Sequence, residues 1–142
     1  GIWLGKQLDL ESTISIGAVV TTMDIISFTK IGKRTVNAKA MSNKTVAAKL
    51  FVYGLEKNGM LIPTCGFGDY LYYAMWISGT HVLSSSGISY VFVAFMVCVG
   101  TIIQSITVKS LSKKDGFKGF PGTVFPFLCT VLAYFVLYYQ VL

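Results

Sequence analysis

Residues 87–108, GISYVFVAFMVCVGTIIQSITV, contain no charged side chain. A helix that crosses the hydrocarbon core of a bilayer needs about 20 mostly apolar residues, so this run is long enough to span a membrane by itself. The whole chain has the same character, because hydrophobic residues make up 54% and charged residues 13% of its 142 residues. A soluble domain is roughly 25% charged. The sequence therefore predicts a membrane protein.

Three further stretches approach the length of a membrane span, at about 12–29, 60–78 and 120–142. Backbone groups in hydrocarbon need internal hydrogen-bond partners, which leaves helices or closed barrels. Apolar runs of this length, without alternation, exceed the strands of a barrel, which have about 9–11 residues. The predicted fold is an all-α, polytopic membrane helix bundle with about four transmembrane helices. It forms a single transmembrane domain over residues 1–142, in the plasma membrane if the protein is prokaryotic.

The basic residues indicate how the chain crosses the membrane. Eleven of the twelve lie in two loops, 30–59 and 109–119, and Lys and Arg accumulate in cytoplasmic loops. If all four stretches span, both loops lie on one side, and His81 and the C-terminus lie on the other. The loop 30–59 is expected to be irregular or amphipathic, since so many basic residues are too costly to bury. This distribution favours a membrane explanation of the net charge of +6 over nucleic-acid binding.

The cysteines and the histidine indicate neither a disulfide framework nor a metal site. Cys65, Cys98 and Cys129 each lie in an apolar run, without CxxC spacing, and such cysteines behave as small buried hydrophobes. His81 is the chain's single histidine. We therefore predict no metal and no cofactor.

Two acidic residues, Asp24 and Asp69, fall within predicted spans, whereas the others lie in loops or at ends. A carboxylate at the centre of a membrane helix costs about 2.5–3.5 kcal/mol on insertion scales, and such residues are usually functional. A single one could be a polar anchor to a neighbouring helix. Two of them in adjacent segments favour a functional pair.

Asp69 closes the sequence Gly66-Phe67-Gly68-Asp69. Glycines here would let another backbone approach closely, either a substrate or, in a purely structural role, a packed helix. The stretch resembles the GxGD motif of the presenilin and signal peptide peptidase family. In that family the second catalytic aspartate closes this motif and the first lies in the preceding helix, which is the place of Asp24. The separation of 45 residues is similar to the short spacing of signal peptide peptidases and archaeal presenilin-like proteins, although Met23-Asp24 departs from the family's usual Tyr-Asp.

The family's third signature, Pro-Ala-Leu, has two candidate positions near the start of the last predicted helix. Pro126-Phe127-Leu128 matches with Phe in place of Ala, and Pro121 followed by Gly122-Thr123 is a rival anchor. The resemblance covers the last four of the family's nine helices. It leaves open whether a homo-oligomer or a partner supplies the missing N-terminal helices. The substrate-binding residues that it implies are Gly66, Phe67, Gly68, Pro126, Phe127 and Leu128.

The resemblance implies an intramembrane aspartyl protease that cleaves transmembrane helices with the pair Asp24 and Asp69. One carboxyl would be protonated and the other would act as base toward water. The partners expected are a transmembrane peptide substrate and membrane lipid. One alternative is a non-catalytic membrane subunit or small transporter whose aspartates bind protons or a cation. A lesser alternative is a prepilin-type peptidase, which tends to have a lysine soon after its GxGD motif, where this chain has Tyr70-Leu71-Tyr72.

The predicted topology can be tested by labelling single cysteines in sealed vesicles. With the native cysteines replaced, we expect His81→Cys and Lys113→Cys to react with a membrane-impermeant maleimide from opposite sides, because the basic loops stay in the cytoplasm. Labelling of both positions from the same side would refute the topology.

Overall fold

The computed structural model describes residues 1–27, 29, 51–55, 61–111 and 120–141, which are mainly helical. A two-stranded sheet is the exception. The prediction of a helical protein is therefore confirmed in its main feature, with a β-hairpin added to it. The elements are α1 (Ile2–Gly5), α2 (Leu10–Ser27), β1 (Phe51–Leu55), β2 (Leu61–Gly66), α3 (Phe67–Gly79), a 3-10 turn (Thr80–Val82), α4 (Gly87–Leu111) and α5 (Val124–Val141).

Two described helices are long and apolar enough to cross a membrane, namely α2 and α4. They coincide with the predicted spans 12–29 and 87–108, and a third apolar helix, over Val124–Gln140, is slightly shorter. It begins four residues later than predicted because Pro121 and Gly122 precede its first turn. Length and composition thus support a membrane location.

The predicted helical span over 60–78 needs correction. Its first part is the strand β2, which pairs with β1 in an antiparallel hairpin, and only the second part, α3, is helical. Apolar periodicity alone does not separate a short strand from a helix. Pro63 lacks a backbone N–H and disfavours a helical interior, so the apolar run is divided. With 13 residues, α3 is shorter than a full span.

The hairpin is irregular at one point. Val52 pairs with Cys65 and Tyr53 pairs with Pro63, so Thr64 is an extra residue on β2. Such a bulge bends the strand and increases its twist. The bulge therefore lies just before the Gly66 turn that leads into α3.

The described parts of the loops can be compared with the predicted topology. Of the loop 30–59, residues 51–55 form β1, and 30–50 and 56–59 lie outside the described residues. His81 shortly precedes α4, and Lys109 is in its last turn. Because α4 has 25 residues, it is about 37 Å long. His81 and Lys109 therefore lie toward opposite ends of this helix, whereas Lys113 lies outside the described residues.

An acidic side chain caps the start of α2. The backbone N–H of Ser12 donates to Oδ1 of Asp9 at 2.7 Å. This bond to the backbone of Ser12 lowers the pKa of the Asp9 carboxyl, because it stabilises the charged form. The arrangement satisfies one of the free N–H groups at a helix start.

Two apolar clusters connect the helices. The first centres on Trp76 of α3, and the second joins α4 to α5. The α4–α5 pair has the most extensive contact between described helices. The buried members of the first cluster are Tyr73, Met75, Trp76 and Val97, and those of the second are Val93, Ala133, Tyr134 and Leu137.

Small residues allow these helices to approach closely. A Cβ atom built on Gly100 of α4 would lie 2.7 Å from the backbone nitrogen of Pro126 and 2.8 Å from the carbonyl oxygen of Phe125. A Cβ on Gly17 of α2 would overlap the ring of Phe127. Close packing at small residues is a common means of helix association in membranes. It brings α2 and α4 against the first turn of α5.

Alanine at Gly100 tests this packing. Gly→Ala inside a helix ordinarily stabilises it by up to about 1 kcal/mol. We expect Gly100→Ala instead to destabilise the protein by about 1–3 kcal/mol, because the added methyl group meets backbone atoms that cannot rotate away. The free energy of unfolding in detergent measures this change.

The matched control is Gly87→Ala, at the first residue of α4, where no atom of the described residues lies within 4 Å of an added Cβ. It should leave stability unchanged or slightly higher. Equal effects of the two substitutions would contradict the proposed packing at Gly100.

Candidate active site

Asp24 lies in the last turn of α2 and is partly buried. Its Oδ2 accepts two hydrogen bonds from Thr123, one from the backbone N–H at 3.1 Å and one from the hydroxyl at 3.0 Å. The carbonyl of Thr123 accepts the N–H of Phe127, so Thr123 is the N-cap of α5. The carboxylate of Asp24 is therefore bound at the N-terminus of another helix, where the helix dipole favours a negative group.

Asp69 lies in the first turn of α3. Its Oδ2 accepts the backbone N–H of Gly66 at 3.0 Å, which is the half of a capping box made by the residue at the third helical position. Glycine has no side chain to make the other half. The GxGD sequence thus acts locally as a helix start, with the acid satisfying a backbone donor that the helix leaves unpaired.

The two carboxylates meet the same short stretch, residues 121–123, which we call the connecting segment. Asp24 binds Thr123, and a Cβ built on Gly122 would lie 2.8 Å from Oδ2 of Asp69. The structure therefore brings the two predicted aspartates together around the connecting segment.

Two further side chains hold the connecting segment. The hydroxyl of Tyr73, on α3, donates to the carbonyl of Gly122 at 3.2 Å. The side-chain amide of Gln104, on α4, donates to the carbonyl of Pro121. Three consecutive residues are thus bonded by side chains from α4, α3 and α2 in turn.

Both aspartates lie near helix ends and not at helix centres. Asp24 is three residues from the end of α2, and Asp69 is the third residue of α3. The cost of a charge falls toward the ends of a span, where side chains reach water and headgroups. Both aspartates lie toward the Lys109 end of α4, the end that the charge pattern predicts to be cytoplasmic.

The glycines of the GxGD stretch are not packed against other helices. Among the described residues, no atom lies within 4 Å of a Cβ built on Gly68, which is exposed, and the atoms nearest to one on Gly66 belong to Asp69. The structural role in helix packing does not apply to Gly68. Phe67 begins α3, but its side chain lies outside the described part. In the part of the chain that the structure describes, the face beside Gly68 is open to an approaching chain.

The residues of the other predicted motif lie away from the carboxylates, within the first turns of α5. Pro126 is buried against Gly100, and the ring of Phe127 packs on Trp76 with centroids 5.5 Å apart. Leu128 is 51% exposed. The contacts with both aspartates are made instead by the rival anchor, Pro121-Gly122-Thr123.

Some buried polar atoms around the site lack a hydrogen-bond partner in the described part of the chain. They include Oγ1 of Thr21, one turn before Asp24, and Oε1 of Gln104. Buried polar groups of this kind are commonly satisfied by internal water. The described residues contain no group of three or more His, Cys, Asp or Glu side chains that could hold a metal ion.

Sequence reasoning missed the roles of Thr123, Tyr73 and Gln104. The Pro-Gly pair at 121–122 was a signal for Thr123, because it marks a break before a helix. Tyr73 was one aromatic residue among many, and Gln104 gave no motif. Their hydrogen bonds join positions 49 and 17 residues apart in sequence, which no local pattern specifies.

No protein-family model, curated protein or solved structure matches this chain. The resemblance to presenilins and signal peptide peptidases therefore rests on the short motifs alone and stays a prediction. The geometry of the pair is the independent observation on which a function can be proposed.

Replacing Thr123 tests the bond to Asp24. Thr123 is buried, and hydrogen bonds to charged groups contribute about 1.5–3 kcal/mol. We expect Thr123→Val, which removes the hydroxyl at nearly constant volume, to lower the free energy of unfolding by about 1–3 kcal/mol. Thr123→Ser, which keeps the hydroxyl, should lower the free energy of unfolding by less. If the serine variant is the less stable of the two, the methyl group and not the hydroxyl is what matters.

Proposed function

We propose that the protein is an intramembrane aspartyl protease that cleaves transmembrane helices with Asp24 and Asp69. The observation that carries the proposal is the convergence of these carboxylates, from elements 45 residues apart in sequence, on neighbouring residues of the connecting segment. Two close carboxyls in a site of low dielectric do not readily ionise together. A pair that shares one proton is the arrangement that aspartic proteases use.

The chemistry follows from the shared proton. The ionised carboxylate takes a proton from a water molecule, whose oxygen attacks the carbonyl carbon of the scissile peptide bond. The protonated carboxyl gives its proton to the carbonyl oxygen, which yields a neutral gem-diol. The carboxyl that took the proton from water then protonates the amide nitrogen, the C–N bond breaks, and one hydroxyl of the diol returns its proton to the other carboxylate, so that a carboxylic acid and an amine leave. The hydrogen bonds of Thr123 to Asp24 and of Gly66 to Asp69 fix one oxygen of each carboxylate.

The open face beside Gly68 supports a peptide substrate. A peptide bond in a helix is shielded by its own hydrogen bonds and side chains, so the substrate must unwind locally. Within the described residues β2 pairs with β1 alone, and an extended chain can add to the edge of such a sheet through backbone hydrogen bonds. β2 leads directly into Gly66 and Asp69. A substrate strand on β2 would be delivered toward the pair.

The proposed protein is a multi-pass membrane protein whose helix bundle is formed by α2, α3, α4 and α5, with α3 shorter than a full span. Support comes from the two helices of spanning length, the apolar α5 and the basic loops. In this arrangement the carboxylates lie toward the cytoplasmic end. Cytoplasmic water would then reach them by a short path.

Asparagine at either aspartate tests the function. Asp24→Asn and Asp69→Asn keep the size of the side chain and an oxygen acceptor but remove the acid. We expect each to lower the cleavage rate of a model transmembrane peptide by a factor on the order of 10³ or more, since removing one member of a catalytic unit disables the whole. The double variant should be little worse than either single one.

The control is Asp9→Asn, because Asp9 is exposed and lies outside the pair; its variant should cleave normally. Unchanged cleavage by Asp24→Asn or Asp69→Asn would overturn the proposal. Proton or cation flux in proteoliposomes that depends on both aspartates, with no cleavage by the wild-type chain, would favour the transporter alternative instead.

A further inference from the structure

We propose that Gln104 is a positioning residue, which holds the connecting segment in the place where it contacts both carboxylates. The effect on turnover rests on the proposed protease function, whereas the effect on the segment does not. Gln104 lies on α4, and its hydrogen bond in the described structure goes to Pro121. It therefore acts through the backbone of the segment.

The connecting segment has backbone carbonyls that no helix satisfies. Because Thr123 provides the first carbonyl that accepts a bond within α5, the carbonyls of Pro121 and Gly122 lie before the helical pattern begins. In a membrane each unsatisfied polar group costs several kcal/mol. Gln104 supplies the donor for the first carbonyl and Tyr73 supplies the donor for the second.

A shift of Pro121 would reach both acids. The proline ring fixes one backbone dihedral, and the next two residues make the contacts with Asp69 and Asp24. No flexible stretch separates the bond of Gln104 from these contacts. Releasing the carbonyl of Pro121 would therefore loosen the groups that set the geometry of the pair.

Packing alone does not explain a glutamine at this position. Gln104 is 9% exposed and lies in a mainly apolar helix whose single charged residue is Lys109, in the last turn. Its Oε1 has no partner among the described residues, and an unsatisfied buried polar atom is destabilising. A methionine of similar length would fill the same space without this penalty. The hydrogen bond from the Gln104 amide to the carbonyl of Pro121 offsets the cost of the unsatisfied Oε1.

The experiment compares Gln104→Met, Gln104→Glu and the control Gln140→Met, made in the full chain. Gln140 is an exposed glutamine near the end of α5. Hydrogen–deuterium exchange reports the amides of Gly122 and Thr123 directly, without need of activity. Cleavage of the model transmembrane peptide gives kcat and KM for the same preparations.

For Gln104→Met we expect the exchange rates at Gly122 and Thr123 to rise by about tenfold or more. We also expect kcat to fall by about tenfold and KM to stay within about twofold, because a small displacement of catalytic groups lowers the rate and not the binding. Gln104→Glu should approach wild-type kcat at low pH, where its protonated carboxyl can donate to Pro121. The ratio of its kcat to the wild-type kcat should fall as pH rises, because the ionised carboxylate can no longer donate a hydrogen bond. Gln140→Met should change none of these quantities.

Unchanged exchange at Gly122 and Thr123 in Gln104→Met, or the same change in Gln140→Met, would overturn the positioning role. A change in KM with constant kcat would also overturn it, because Gln104 would then act on substrate binding. If the wild-type chain cleaves nothing, the proposed protease fails, while the exchange measurement still decides whether Gln104 holds the segment.

Discussion

The site depends on hydrogen-bond partners for the backbone of residues 121–123, a segment in which Pro121 and Thr123 are buried. Backbone polar groups of a buried, irregular segment need hydrogen-bond partners from elsewhere in the protein or from water. Here the partners are side chains from three helices: Gln104 bonds Pro121, Tyr73 bonds Gly122 and Asp24 bonds Thr123. The start of α5 is therefore the point at which α2, α3 and α4 are tied together.

Close helix packing makes these bonds geometrically accessible. Gly100 lets the backbone of α4 lie against Pro126 of α5, and Gly17 gives the ring of Phe127 its place beside α2. With the first turn of α5 held in this way, side chains as short as aspartate and threonine can reach each other. Substituting either glycine would thus disturb the carboxylates as well as the packing. Helix association and site geometry have the same physical basis.

The length of the apolar runs predicted α2, α4 and α5 to within a few residues, because the backbone of a long apolar run satisfies its own hydrogen bonds by forming a helix. It failed at 60–78, where Pro63 and Gly66 divide one apolar run into a strand and a helix start. Asp24 and Asp69 could be found because acids are rare in such sequences. The choice between Pro121 and Pro126 could not be made from sequence, since both precede or begin a helix, and only the fold shows which one meets the acids. Gln104 illustrates the limit: its identity is visible, but its partner depends on how α4 packs on α5.

The positions of the two acids also change the reason for regarding them as functional. Burial at a helix centre would make each carboxylate costly, and cost alone would suggest a function. Instead, Asp24 binds the N-cap of α5 and Asp69 satisfies the first turn of α3, where helix dipoles favour negative charge. Each acid alone could therefore persist as a cap. Capping does not require the two to be neighbours, however, and like charges placed together oppose each other. Their convergence on Gly122 and Thr123 thus supports a shared chemical task more strongly than the burial of either one.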